Sequence, residues 1–361
     1  MCYSVNLVSF INRDNITVKT LNHYSETRDN NFNLVRFIAA SLVIFSHSYP
    51  IALGQGTPEP PTEWIGMSAG NIAVSIFFVV SGFLVSKSFC DRNNVFTFFY
   101  ARCLRIFPAL IVAVLSSVFI VGVLFTQLPL LDYFSDPKTY KYILKNITLI
   151  VFSLQYELPG VFSNNIYPAA INGSLWTLPA EFRMYLLIAL LGFIGILRRD
   201  WLFNLFIVGA VAGYFYTDHY VIALSAEVWR LAAFFLAGTF CYINRKVIPL
   251  NGYVLLGILV ITVGVWQTPY FRFAFSLFLI YATFWFSFVP SGRIRLFNRI
   301  GDYSYGIYIY AFPIQQMIAA SYPGIQPLEM GVWAFLATLL CSYFSWHWVE
   351  KPALNLKLKM K

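Results

Sequence analysis

Long apolar blocks recur along this chain, among them Leu34 to Ser46 and Ile72 to Val85, and they leave it few ways to fold. A helix needs about 20 predominantly apolar residues to cross the hydrocarbon layer of a bilayer. Only 11% of the 361 residues are charged, where a soluble domain carries about a quarter. Aromatic residues reach 19%, which suits a chain with much lipid-facing and interfacial surface. The sequence therefore predicts an all-α polytopic membrane protein.

About ten spans can be drawn, at 34–53, 68–89, 106–126, 174–197, 201–216, 225–242, 250–266, 272–290, 302–320 and 329–348. The net charge of +9 does not point to nucleic acid, because Lys and Arg fall at the ends of apolar blocks rather than on one solvated face. Most of the 25 basic residues collect on one side of these spans, including Lys87, Arg92, Arg102, Arg105, Arg198, Arg199, Arg245, Arg295 and Lys351. Basic residues accumulate on the cytoplasmic side, so both termini are expected in the cytosol. The expected layout is a cytosolic segment at 1–33, a transmembrane domain at 34–350 and a basic cytosolic tail at 351–361. The first 30 residues lack the apolar core of a cleavable signal. The five cysteines are scattered, match no metal or redox spacing and receive no role. On the opposite side, the polar segment Gln127 to Asn172 is long enough to shape an entrance or merely to cover the bundle, with an amphipathic helix expected near Tyr140 to Phe152.

Ionisable groups inside spans are costly and are the first candidates for chemistry. Span one carries Arg36 near its cytosolic end and His47 deeper in. Eleven helical residues come within about 20° of three whole turns and rise about 16 Å, so the two side chains share one face. That suits a long donor entering end-on, with a cation for its anionic head and an imidazole able to carry a proton near neutral pH. The alternative is a buried core histidine with a snorkelling arginine. Arg102 and Arg105, three apart before span three, can form an anion clamp or can simply flank the span. In Asn172-Gly-Ser-Leu-Trp-Thr-Leu-Pro-Ala-Glu181, Glu181 can orient a histidine, bind sugar hydroxyls or favour a helix start, and Trp176 offers a flat face to a sugar ring. Ser81 and Gly82 read as helix packing, with the Ser81 hydroxyl free to face a cavity. Glu227 and Arg230 look like a neutralising pair. No metal-ligand cluster, Gly-rich phosphate loop or serine nucleophile motif appears.

Taken together, six segments resemble the acyltransferase-3 family of membrane O-acyltransferases. They are Arg36 with His47, Phe77-Phe-Val-Val-Ser-Gly-Phe-Leu84, Arg102-x-x-Arg105-Ile-Phe-Pro108, Ser174-Leu-Trp-Thr-Leu-Pro-Ala-Glu181, Ser304-Tyr-Gly-Ile-Tyr-Ile-Tyr310 with Pro313, and Trp348-Val-Glu-Lys-Pro352. They run in the family's order over residues 31 to 355. The resemblance implies a bacterial inner-membrane enzyme that moves an acetyl or other acyl group from cytosolic acyl-CoA to a hydroxyl of a surface glycan, such as lipopolysaccharide O-antigen or exopolysaccharide. Acetyl-CoA would be a co-substrate, with no permanently bound cofactor and no metal. The partners implied are acyl-CoA, a glycan or lipid-linked glycan acceptor and membrane lipid, with no nucleic acid. It also implies His47, Arg36 and Glu181 as catalytic residues, Arg36, Arg102 and Arg105 around the donor, and Trp176 and Ser81 around the acceptor. Many relatives carry a histidine where this chain has Ala311, and the hydrolase-like domain that some relatives append is not expected here. His47 would act as a general base or be acylated itself. A transporter or flippase for a lipid-linked glycan remains the rival reading, and a lipid-sensing scaffold a third.

Overall fold

The computed structural model describes residues 19–27, 29–92, 94–149, 153–216 and 226–356. Among them the chain is a bundle of helices, with three isolated β-bridges and no strand. The principal helices are α1 (Phe32–Leu53), α2 (Ala69–Arg92), α3 (Val95–Phe125), α4 (Pro137–Thr148), α5 (Gly173–Phe193), α6 (Asp200–Tyr216), α7 (Ala226–Ile243), α8 (Gly252–Gly264), α9 (Phe271–Phe288), α10 (Ser304–Ser321) and α11 (Pro327–Leu356).

Seven of these are long and apolar enough to cross a membrane, namely α1, α2, α3, α5, α7, α9 and α11. The chain is thus a multi-pass membrane protein, with seven such helices among its described residues where ten spans were drawn from the sequence. Helix α8 has 13 residues, short of a full crossing, and α6 has 17 described residues, at the lower limit of one. Helix α10 has 18 residues but carries tyrosines, serines and the Gln315–Gln316 pair. It tolerates them because it is enclosed by its neighbours, with most of its side chains buried, and every polar group in such a place needs a protein partner. Gln315 donates through Nε2 to the Ile44 carbonyl and to Ser48 Oγ, both at 2.8 Å, and Gln316 donates to the carbonyls of Tyr167 and Ala170. Pro313 has no N–H for the Ile309 carbonyl four residues before it. Asn172 Nδ2 supplies the missing donor at 2.8 Å.

The most extensive packing joins α2 to α7. A Cβ on Gly82 would stand 1.9 Å from the Phe235 carbonyl oxygen, and one on Gly238 2.0 Å from the Val79 carbonyl oxygen. Only glycine lets the two backbones meet at this crossing, as small residues do between membrane helices. Ser86 Oγ then reaches Thr239 Oγ1 at 3.1 Å. The packing role expected for Gly82 is what the structure contains. Arg230 likewise pairs with Glu227 at 2.6 Å and also donates to Asn71 and Ser75, stitching α7 to α2.

Outside the long helices, the amphipathic segment is α4, capped by Asp136 at Lys138 N. The expected extension to Phe152 falls on residues 150–152, outside the described residues, as do most of the N-terminal segment and the last five residues of the tail.

Candidate active site

Basic residues of α1, α2 and α3, and those flanking α9, gather at one end of the bundle, called here the basic end. At this end Arg36 of α1 and Arg105 of α3 converge on Asp302, which lies just before α10. Arg36 Nη1 and Arg105 Nη2 both donate to Asp302 Oδ2, at 2.6 and 2.7 Å. The other carboxylate oxygen, Oδ1, accepts from Ser304 Oγ at 2.5 Å and from Ser304 N, which caps the start of α10. Burial raises the Asp302 carboxyl, but Arg105 and Arg36 outweigh burial and, with the Ser304 bonds, hold it down at about 2. Arg105 also pairs with Glu350, Nη1 to Oε2 at 3.5 Å, and Glu350 Oε1 accepts from Ser345 Oγ. Glu350 sits in a π-helical turn, Trp346–Glu350, of the kind frequent at functional sites.

These arginines open onto a cavity of about 110 Å³ enclosed by α1, α2, α3, α5 and α10. The space exceeds what one water needs several-fold. Arg36, Arg102 and Arg105 line it together with Ser81, Glu181 and Tyr185. Glu181 Oε1 accepts from Tyr185 Oη and, at 3.3 Å, from Ser81 Oγ, so Glu181 faces the cavity rather than capping its helix. Asn172 makes that cap, its side chain accepting from Ser174 N. Arg102 stands apart from Arg105: its guanidinium lies over Phe98 and Tyr185, with no carboxylate partner among the described residues and a buried Nε lacking a hydrogen bond. Arg105 is thus neutralised by carboxylates while Arg102 has none among the described residues, and both arginines line the one cavity.

Phe77, Thr177 and Tyr308 also line the cavity. Tyr308 Oη contacts Thr177 Oγ1 at 2.7 Å and donates to the Ser174 carbonyl at 2.9 Å, and its ring meets Phe77 edge-on. One helical turn further along α10 is Phe312, and His47 stands edge-on to it, with ring centroids 5.2 Å apart. His47 Nδ1 is buried without a partner while the ring as a whole is only partly buried. Arg36 and His47 both turn towards the α10 side of α1, as their spacing predicts. The cavity, however, is lined by Arg36 and not by His47, and Glu181 bonds Ser81 and Tyr185 instead of the imidazole. Trp176 packs partly buried against the core and does not line the cavity.

The structure therefore brings together Arg36, Ser81, Arg102, Arg105 and Glu181. Sequence reasoning missed Asp302 and Glu350. Glu350 lies inside the Trp348-to-Pro352 segment quoted above, and Asp302 directly precedes the Ser304 segment, so both stood next to recognised landmarks. Ala311 is fully buried and brings no polar group to the site. Among the described residues no group of three or more His, Cys, Asp or Glu gathers as metal ligands do.

Residues 29–347 match the family described as an acyltransferase domain, acyltransferase-3. The chain belongs to the acyltransferase-3 family. It is an acyltransferase, and the buried arginine cavity lies within the matched region. The chain is similar to an O-acetyl transferase of Shigella phage Sf6, 30% identical over 354 residues that cover 91% of this chain and 97% of the phage protein. It is also similar to nodulation protein 10 of Rhizobium leguminosarum bv. viciae, 33% identical over 173 residues, 47% of this chain and 46% of that one. No solved structure matches this acyltransferase.

Proposed function

We propose that this acyltransferase moves an acetyl group from cytosolic acetyl-CoA to a hydroxyl of a surface glycan, such as lipopolysaccharide O-antigen or exopolysaccharide, in the bacterial inner membrane. The observation that carries the reading is the cationic cavity in which Arg36, Arg102 and Arg105 meet Glu181, in a chain of this family. Similarity to an O-acetyl transferase favours acetyl as the group moved. The basic end is the cytosolic end in this reading, by the positive-inside rule.

Arg102, a lining cation with no carboxylate partner among the described residues, takes a phosphate of the donor. The cavity has room for the slim thioester end and not for the nucleotide, which stays outside. The glycan hydroxyl attacks the thioester carbonyl carbon, so a C–O bond forms and the C–S bond breaks. The hydroxyl proton passes to the His47 imidazole and from there to the departing thiolate. The thioester and His47 meet when the Phe77, Tyr308 and Phe312 rings between them shift. Glu181, Ser81 and Tyr185 line the route and hydrogen-bond the incoming polar groups. Direct transfer is favoured over an acylated His47, since it needs no second intermediate.

The test uses the purified full chain in lipid nanodiscs with radiolabelled acetyl-CoA and the glycan. Wild type should label the glycan, and His47→Ala should not, at normal membrane level. Near-wild-type labelling by His47→Ala refutes the role given to His47. A chain that merely moves a lipid-linked glycan leaves the glycan unlabelled even as wild type.

A further inference from the structure

At the end of the bundle opposite the basic cluster, two loops meet over a pocket that the mechanism above does not use. One loop runs from α1 to α2 and carries the short helix Pro60–Ile65; the other runs from α8 to α9. The pocket holds about 260 Å³ and is lined by Trp64, Gly66, Trp266, Gln267 and Arg272 among others. Trp64 is 68% exposed and Trp266 52% exposed.

Several devices build this place. Trp266 Nε1 donates to the Trp64 carbonyl at 3.1 Å, which joins the two loops. Gln267 takes a left-handed φ of 62°, uncommon for a residue with a side chain, and the Thr268 hydroxyl closes the turn on the Val265 carbonyl. Gly66 is left-handed too, with φ 70°, and the Arg272 guanidinium lies against its bare backbone, 3.7 Å from where a Cβ would stand. The Arg272 side chain makes no hydrogen bond or ion pair with the described residues. Two indoles, an amide and an uncommitted guanidinium thus surround one small pocket.

We propose that this pocket is a subsite for one pyranose ring of the glycan acceptor. A pyranose has an apolar C–H face and a rim of hydroxyls. Indole rings offer a broad apolar surface for the first, while the guanidinium and amide donate to the second. A pair of interfacial tryptophans that only anchors the protein in lipid needs neither the pocket nor the turn that frames it. The same loop is tied to the neighbourhood of His47. Glu59, 4% exposed, accepts from Ser46 Oγ at 2.7 Å and from Ala69 N at 2.8 Å, and Ser46 directly precedes His47 on α1. A sugar held by Trp64 is therefore held on an element fixed to the helix that carries the imidazole. This inference rests on the proposed transfer to a glycan and names where the acceptor is gripped.

The experiment uses the full chain in nanodiscs, acetyl-CoA, and oligosaccharides of one to four repeats released by mild acid from the lipopolysaccharide of the producing strain. Trp64→Ala, Trp266→Ala and Arg272→Ala should each raise the KM for oligosaccharide about tenfold, as truncation of a buried contact does, with the KM for acetyl-CoA within about twofold of wild type. Unchanged oligosaccharide KM values overturn the subsite. Wild type that transfers nothing to any oligosaccharide overturns the glycan reading instead. In that case the subsite is scored by quenching of indole fluorescence on titration with the same oligosaccharides: saturable quenching lost in Arg272→Ala supports it, and no quenching overturns it. Variants whose only defect is a lower melting temperature in nanodiscs, absent in detergent, identify lipid anchors and also overturn it.

Discussion

Replacing Asp302 with Asn isolates a single charge. Asn keeps an oxygen for the Ser304 hydroxyl and amide, so the cap on α10 survives, but two guanidiniums now share a site without the carboxylate that separates them. Two opposite charges about 4 Å apart attract by about 4 kcal/mol at an effective dielectric of about 20, and Asp302 makes two such pairs. Desolvation of the three ions returns most of that, and breaking a buried pair from one side typically costs about 3–5 kcal/mol. If half of this falls on the geometry that receives the donor, the KM for acetyl-CoA rises about tenfold or more, and the remainder lowers the melting temperature. Because Asp302 is held down at about 2, below its unfolded value, its stabilisation is complete above pH 4 and is lost only as pH falls through about 2. The Asn defect should therefore be the same at every pH from 5 to 9. Asp302→Ala should cost about 1 kcal/mol more, since the cap goes as well. The assay is radiolabelled acetyl transfer in nanodiscs with donor varied, beside a melting curve. The opposite effect refutes the reasoning: freed guanidiniums that bind the donor more tightly, with a lower KM and unchanged melting, would show that Asp302 only competes with phosphate.

Three further outcomes follow from other parts of the bundle. Gly238→Val drives a side chain into the Val79 carbonyl, so the protein should fail to accumulate in membranes, while Gly209→Ala, with open space around it, should accumulate normally; immunoblots of membrane fractions decide this. Burial raises the Glu59 carboxyl against the bonds from Ser46 and Ala69. With its folded value above the unfolded one, its contribution to stability is full below about pH 4 and is lost as pH rises through the folded value, so Glu59→Gln should flatten the melting temperature across that window. Tyr308→Phe leaves the buried Thr177 hydroxyl and Ser174 carbonyl without the phenol, at about 1–3 kcal/mol. It should also loosen the wall between cavity and His47, which is read as faster hydrolysis of acetyl-CoA without acceptor.

Much of this site was legible because charge inside an apolar helix is rare enough to stand out. Arg36 and Glu181 were visible on that ground, Arg102 and Arg105 by their spacing just before span three, and all four line one cavity. Asp302 was hidden because it opens the span drawn at 302–320, where an acidic residue suits a helix start and carries no surprise. Glu350 was hidden by geometry: the π-turn at Trp346–Glu350 changes the helical phase, so a period of 3.6 does not show which way the carboxylate faces. Apolar blocks report burial as much as contact with lipid, so the ten spans drawn from the sequence do not tell a lipid-facing helix from α10, which is enclosed by protein. The common face of Arg36 and His47 was correctly set by their spacing. What spacing cannot show is the aromatic wall supplied by α2 and α10.

That wall gives the separation of Arg36 from His47 a physical meaning. Water that reached both sides at once would connect the two faces of the bundle through a cationic channel, which a membrane enzyme has to avoid. Tyr308 is fixed by two hydrogen bonds through its hydroxyl, while Phe77 and Phe312 meet Tyr308 and His47 edge-on, held only by contact and burial. Edge-on ring pairs contribute about 0.5–1.5 kcal/mol each beyond the area they bury. In the proposed reaction, a donor held at its phosphate end displaces such contacts. Phe312 is also boxed in by Gly173, where a Cβ would stand 2.6 Å from its ring, so the ring can turn along α10 more readily than into the Asn172–Trp176 turn. Opening would then run along the helix that Asp302 caps at one end, and the carboxylate that positions the arginines would also fix the start of the helix that carries the wall.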